Sequence, residues 1–588
     1  MIPGPDSTVT ASTNRRREAL ILAAIVVVGL SVRLVFLAGW AETPLYHVPY
    51  GDEANFHQTA LALIGQAGEA DAFLYQPLYS FYLAGVYSVF GVDPAFVRTL
   101  QLFIALLTLL LSYGLGRELA GPWGGRWSAL GMALYGPLIF FEGHLLAPGL
   151  VTPLLLGTLW ALLRAGKGQR AWLLLPAGVL LGLAVMGRPN LLLLLPVGGL
   201  WWLVVARSWS RKGLGVALAL AGLIVGLAPS WIHNARQGNP WSPVSSAGGI
   251  SFFLGNNSQA DGRFHVPKGM RIDATSHEAY RNSLQALAER ARGRKLSPKE
   301  VSDYWYSEGF GFWSEDPLSA LTLVGKKALM AVNTEEMAIH YPYFVGAAIV
   351  PLLGFLFKFG LVFAFAVMGI VLTLRRSIGV VLLASCAATI FLSLMAFYVA
   401  DRYRISMIPM LMPLAAVGVV ELAHLVRERR ARDLWPWFGL LAFSFFLTQV
   451  PMVGPSAKQR AFVGIYNLMG RAEGEQGHLG EAERWFRKGI DLAGSDGGSV
   501  PRGNMGLLAE KRGHVDQARM WYLQVTKQDS EDRFVRLRLA LLAESRGDLA
   551  EALRWWRELS GLEADPSRAL ARVRFLESRI ESQTGFPN

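Results

Sequence analysis

A single cysteine, Cys386, stands in 588 residues, so the chain holds no internal disulfide framework. Charge is equally scarce. Asp, Glu, Lys and Arg make up 17% of the chain, against 52% hydrophobic residues, which excludes an ordinary soluble protein of this length. Acidic residues are outnumbered by basic ones, and the net charge is +12. Such a surplus raises the question of nucleic acid, but its placement answers differently. Arg15–Arg17, Arg117 with Arg126, Arg164 with Lys167 and Arg170, Arg207 with Arg211 and Lys212, Arg375 with Arg376, and Arg427 to Arg432 sit at alternate ends of apolar runs. That is the positive-inside pattern of a membrane protein, and nucleic acid is not needed to explain it.

Eleven apolar runs are near spanning length: Ala19 to Trp40, then 97–116, 127–143, 146–163, 171–187, 190–206, 214–232, 346–374, 378–399, 405–426 and 434–453. The first is too long for a secretory core and is expected to be a retained helix. Most runs are free of mid-run charge, Lys358 being the main exception. The pattern predicts an all-α polytopic bundle, with residues 1–17 a cytoplasmic tail and residues 18–455 the membrane domain. Loops 41–96 and 233–345 then lie outside the cytoplasm, as does everything beyond 455.

Those loops carry helix signals. Residues 52–64 read as a short amphipathic helix, and "PLYSFYLAGVYSVFG" (77–91) as an interfacial one. Thr275–Glu278 and Ser297–Glu300 fit capping boxes, and Asp316-Pro317 fits an N-cap followed by proline. The long loop is expected to be a small helical subdomain.

From residue 456 the composition becomes polar, and the sequence repeats. Gly470, Gly477, Ala482 and Phe486 recur as Gly506, Gly513, Ala518 and Tyr522, and again as Ala540, Gly547, Ala552 and Trp556. Small residues at a close helix contact, with an aromatic one turn later, are what a tetratricopeptide (TPR) helix pair needs. Residues 456–588 are thus expected to be a TPR domain capped by 568–582, either presenting a surface to a partner or acting only as a packing module.

Candidate chemistry collects in the predicted outer segments. "GDEANF" places Asp52 and Glu53 at a helix start, where an acid also serves as a cap or a dipole partner. "YVADRYRISMIP" supplies Arg402 and Arg404, "MGRPNLL" supplies Arg188, "EGHLLAP" supplies Glu142 and His144, and "WIHNAR" adds His233 and Arg236. Arginines on the outer side run against the positive-inside tendency. An anionic lipid phosphate would explain them, as would snorkelling or a structural pair such as Asp401 with Arg404. One carboxylate to take a hydroxyl proton and a cation clamp for a phosphate leaving group would suffice for glycosyl transfer from a lipid phosphate.

The ordered set "GDEANF", "QPLYSFYLAGVYSVFG", "RTLQLFIALLTLLLSYGLGREL", "GRPN", "IHNAR", "GGISFFLGNNSQADG" and "DRYRISMIP" resembles the GT-C superfamily of polyprenyl-phosphate-sugar glycosyltransferases. The branch it resembles is that of the dolichyl-phosphate-mannose protein mannosyltransferases, over about residues 18–426. The resemblance implies that Asp52 is the catalytic base, that Arg402 and Arg404 face the donor phosphate, and that Glu53, Tyr79 and Arg188 lie near the donor. It implies no required cofactor. Some members use a divalent metal, for which Glu142 and His144 are the candidates here. Relatives often carry Pro-Pro at Gln76-Pro77, and an acid just after the proline at Pro148-Gly149, where Glu142 could substitute. The TPR tail resembles that of eukaryotic transmembrane O-mannosyltransferases, which favours a protein acceptor over a glycan or lipid. An O-antigen-ligase-like transferase, a transporter and a non-enzymatic membrane TPR scaffold are the competing readings.

Overall fold

A computed structural model describes residues 5–270, 272, 277–428, 431–494, 498–562 and 566–584. The described residues fold into α-helices and short 3-10 turns, with one isolated bridge between Tyr135 and Phe357 and no other strand pairing. They form two units. One holds residues up to Glu42, Pro49–Lys268 and Lys295–Met452, and the other holds Thr43–Val48, Gly269–Arg294 and Val453 onward.

In the first unit, the apolar runs fall largely on helices. Six helices are long and apolar enough to cross a membrane: Arg15–Ala41, Pro94–Ala133, Pro148–Gly168, Trp209–Arg236, Ile378–Ala396 and Asp401–Arg427. Five shorter apolar helices accompany them, Leu78–Phe90, Ala171–Gly187, Pro189–Val205, Phe359–Thr373 and Leu434–Leu447. The chain is a multi-pass membrane protein.

The Pro94–Ala133 segment is a helical hairpin rather than one rod. It starts at Asp93, whose carboxylate accepts from the amides of Ala95 and Phe96, and reverses at Ala120-Gly121, where Gly121 takes φ +65°. Beyond the turn the arms touch through small residues. A Cβ on Gly116 would lie 2.5 Å from the Gly124 carbonyl oxygen, and the hydroxyls of Ser112 and Ser128 are 2.8 Å apart. Without a hydrophobic drive between helices in lipid, such close backbone approach and interhelical hydrogen bonding hold the arms together.

Two expected spans are corrected. The run 127–143 breaks after Ala133, and Gly136–Glu142 forms a separate short helix. The run 346–374 splits into Tyr343–Ile349, Leu352–Phe355 and Phe359–Thr373. The two breaks answer each other. Phe357 donates its amide to the Leu134 carbonyl at 2.9 Å and accepts from the Gly136 amide at 3.0 Å, which satisfies backbone groups that the helices release.

The segments expected to lie outside the cytoplasm form the helices Asp52–Leu63 and Leu78–Phe90. Ser297 and Glu300 complete a capping box, and Asp316 caps its helix by accepting from the Ser319 amide at 3.1 Å. Thr275-Ser276 lies outside the described residues. The long loop is not a single subdomain, because residues 269–294 cluster with the second unit.

That second unit contains three helix hairpins at the expected period: Pro455–Glu475 with Leu479–Ala493, Ser499–Lys511 with Val515–Gln528, and Arg533–Ser545 with Leu549–Leu562. Gly477, Gly513 and Gly547 turn each hairpin at φ of 85°, 77° and 76°, a region costly for any residue with a Cβ. Gly470 and Gly506 leave room for the rings of Phe486 and Tyr522, and Ala482, Ala518 and Ala552 are fully buried. Ser567–Thr584 closes the row, burying Ala569, Val573 and Leu576.

Candidate active site

Asp52 opens the Asp52–Leu63 helix as its first residue. It is not the N-cap, a position taken by Gly51 at φ +52°. This frees the Asp52 carboxylate from the backbone, and it forms an ion pair with Arg402. The pair joins the segment that follows the first apolar helix to the start of the Asp401–Arg427 helix, 350 positions later. It stays partly open, with the Asp52 side chain 22% exposed and that of Arg402 10%.

Arg188 completes a cationic corner. Its Nη2 donates to the Arg402 carbonyl at 3.2 Å, and its guanidinium lies 4.6 Å from the centre of the Tyr403 ring. The Nε atoms of Arg188 and Arg402 are both buried with no hydrogen-bond partner among the described residues. Buried donors of this kind are costly unless something accepts from them. A cavity of about 730 Å³ opens beside this corner, lined by Gln76, Arg188, Asn190, Ser393, Tyr398 and Tyr403 among aliphatic, aromatic and serine neighbours. Asn190 donates to the Ser393 hydroxyl at 2.8 Å, so its polar wall is itself ordered.

Glu53 faces the other way. It is fully buried and bonded to Arg98 at 3.0 Å, and its second oxygen accepts from the Leu145 amide at 3.0 Å. Burial lifts its carboxyl to about 7, with Arg98 and the Leu145 amide opposing the rise. Its own amide donates to the Tyr341 hydroxyl, which in turn donates to the Tyr50 carbonyl. Tyr79 belongs to the same interior network, donating to Gln101, whose amide nitrogen donates to the carbonyls of Glu142 at 2.7 Å and His144 at 3.1 Å. Arg98 adds a bond to the Gly143 carbonyl at 3.1 Å. Glu53, Arg98, Tyr79 and Gln101 thus staple the 142–145 turn beneath the Asp52–Leu63 helix. In this arrangement Glu53 and Tyr79 are supports, closed off from the cavity.

Arg404 is also turned inward. It pairs with Glu336 at 2.6 Å, donates to the Asn333 carbonyl, and packs its guanidinium 4.2 Å from the Phe359 ring. Its partner is therefore Glu336 rather than Asp401. Glu142 is claimed by Arg33 at 2.7 Å, and His144 Nδ1 shares a hydrogen with the Phe140 carbonyl at 2.7 Å. No cluster of three or more His, Cys, Asp or Glu side chains able to hold a metal occurs among the described residues. With its acid neutralised by a buried arginine and no third ligand beside it, the Glu142–His144 set does not fit a divalent ion. His233 Nε2 lies against the Asp71 carbonyl at 3.0 Å, with its ring packed on Phe73.

Sequence reasoning passed over Arg33, Arg98, Gln101, Tyr341, Glu336 and Tyr403. A signal existed for two of them. Arg33 lies inside the first apolar run and Arg98 at the start of the second, and an intramembrane cation asks for a buried partner.

The sequence profile of the family described as dolichyl-phosphate-mannose-protein mannosyltransferase matches residues 75–233. No curated protein matches the chain. Among solved structures, the chain is similar to the archaeal oligosaccharyltransferase AglB from Archaeoglobus fulgidus, in complex with an inhibitory peptide and a dolichol-phosphate. Identity is 11%, over 77% of this chain and 58% of that one, with a TM-score of 0.42. It is also similar to ArnT from Cupriavidus metallidurans bound to undecaprenyl phosphate, at 15% identity over 71% of this chain and 79% of that one, with a TM-score of 0.31. The chain spans a little over half the length of the oligosaccharyltransferase it matches. The profile match is confined to residues 75–233, and over that stretch the chain is similar to this mannosyltransferase family.

Proposed function

We propose that this chain transfers a sugar from a polyprenyl-phosphate donor to an acceptor hydroxyl on the extracytoplasmic face of the plasma (inner) membrane, with inversion. The carrying observation is the meeting of Asp52 with Arg402, next to Arg188 and the 730 Å³ cavity. Lipid phosphates were present in the two structures named above, dolichol-phosphate in one and undecaprenyl phosphate in the other.

In this reading the donor phosphate sits at the Arg188–Arg402 corner, where the two unsatisfied Nε donors and the charge of both guanidiniums compensate it. Arg402 exchanges its Asp52 partner for the phosphate, and the freed carboxylate faces the acceptor. The acceptor oxygen attacks the anomeric carbon as the bond from that carbon to the phosphate oxygen breaks. The bonding pair leaves with polyprenyl phosphate, and Asp52 takes the hydroxyl proton. Attack opposite the leaving group inverts the anomeric centre, and the reaction needs no cofactor. Glu53 acts through Arg98 and the Leu145 amide, holding the loop that carries Asp52 in register. The helix hairpins beyond residue 455 are TPR repeats that present or recruit the acceptor, a protein hydroxyl before a glycan or lipid. The alternating basic clusters support a cytoplasmic N-terminus and periplasmic hairpins.

Kinetics on Asp52→Asn and Arg402→Ala test the assignment. Asp52→Asn is expected to lower kcat by about 10²–10⁴-fold, the usual contribution of a positioned base, while the protein still inserts and unfolds at its normal temperature. Arg402→Ala is expected to raise the donor KM as well as lower kcat. Wild-type turnover in Asp52→Asn would remove the proposed base, and an unaltered donor KM and kcat in Arg402→Ala would make that arginine structural.

A further inference from the structure

Two cavities meet at the end of the first unit's helices remote from Asp52. The chain leaves Arg98 beside Glu53 and reaches Arg117 nineteen residues later, about 28 Å along one helical arm. The Pro148–Gly168 helix likewise begins next to the Glu142–Leu145 turn and ends at the same remote point. There a cavity of about 670 Å³ is walled by Arg117, Glu118, Trp160, Arg164, Lys167 and Arg170. A second cavity, about 860 Å³, shares Trp160, Arg164 and Arg170 with the first and runs on as an apolar trench past Leu107, Leu154 and Leu180.

The polar end is unbalanced in charge. Four cations face one acid, so its formal charge is +4 − 1 = +3. Glu118 is spent on two of them, Arg164 at 2.5 Å and Lys167 at 2.7 Å, and this fixes both at the rim. Arg164 also lies 5.2 Å from the centre of the Trp160 ring. Arg117 and Arg170 make no ion pair among the described residues. The next acid, Glu18, is occupied by Arg126 and by the Tyr113 hydroxyl. Topology alone accounts for cations at this end of a bundle, but not for a concave basic mouth that continues into an apolar trench.

We propose that this continuous groove binds one anionic glycerophospholipid, with its acyl chains in the trench and its phosphate between Arg117 and Arg170. A zwitterionic lipid brings its own cation to the +3 mouth and is disfavoured. The match is of shape and charge together, since basic pockets between membrane helices select acidic headgroups.

Native mass spectrometry of the full chain in neutral detergent tests this, using phosphatidylglycerol and phosphatidylcholine of identical chains. One phosphatidylglycerol per protein is expected to be retained in preference to phosphatidylcholine. Arg117→Gln/Arg170→Gln should weaken that binding roughly thirtyfold, from the usual contribution of two interfacial cations. Its unfolding temperature in detergent should not change, because both side chains are exposed. Arg117→Lys/Arg170→Lys should retain most of the binding, and Arg170→Gln alone should show a partial loss should the double variant fail to fold. Deacylated glycerophosphoglycerol should not compete. Equal retention of the two lipids, an unchanged preference in the glutamine variants, or full competition by the deacylated headgroup would each overturn the proposal.

Discussion

Glu53 keeps a proton that its unfolded counterpart would give up, and this makes it a reporter of how tightly the Asp52–Leu63 helix is seated. The group titrates ordinarily at 4.5 and in the folded protein at about 7. Between those values the unfolded chain has lost a proton that the folded chain retains, so rising pH favours unfolding across that window. The loss totals about 3 kcal/mol across the window and ends above pH 7. Glu53→Gln removes the titration. Its unfolding temperature in detergent should therefore gain on wild type as pH rises from 4.5 to 7, whereas parallel curves would show that Glu53 is not buried as described. Arg98→Ala should be the harsher change, since it leaves Glu53 interior without its cation. A loss of about 3–5 kcal/mol is expected from breaking one side of a buried pair, read by thermal unfolding at pH 8. At this scale the sequence named Asp52, Arg402 and Arg188, and the fold brings those three together. It could not tell Glu53 from Asp52, nor Arg404 from Arg402. Neighbours in sequence point to opposite sides of the same turn, and the partners that claim them, Arg98 and Glu336, lie 45 and 68 positions away.

Helices were legible where hydropathy and caps agree. Ser297-Pro298 and Asp316-Pro317 each open a helix as their residue types require. Breaks were not legible, because an averaged apolar run does not register a backbone bridge such as Tyr135 to Phe357, whose halves are more than 200 residues apart. The hairpin of Pro94–Ala133 makes the element-scale claim testable. Gly124→Val puts a branched side chain where a Cβ already lies 2.6 Å from the Gly116 carbonyl oxygen. Overpacking of this kind should cost about 1–3 kcal/mol in thermal unfolding. Gly199→Ala is the control, since nothing lies within 4 Å of its added Cβ. Equal behaviour of the two variants would mean that the arms are not in backbone contact.

On the scale of the whole chain, the repeat read from small and aromatic residues appears as three helix hairpins, whereas the membership of residues 43–48 and 269–294 in the second unit had no local signature. Contacts between distant segments are a property of the fold and leave no periodicity behind. Deleting 456–588 should spare hydrolysis of the lipid donor and depress transfer to the native acceptor, and intact acceptor transfer would give the hairpins another task. The central claim is the coupling of an early carboxylate to a late arginine around a lipid phosphate. It is tested most directly by supplying membranes that contain the full chain with a panel of polyprenyl-phosphate sugars and measuring release of polyprenyl phosphate. At least one donor should turn over in wild type, with the signal lost in Asp52→Asn and diminished in Arg402→Ala. Turnover of a donor at equal rates in all three proteins would contradict the account.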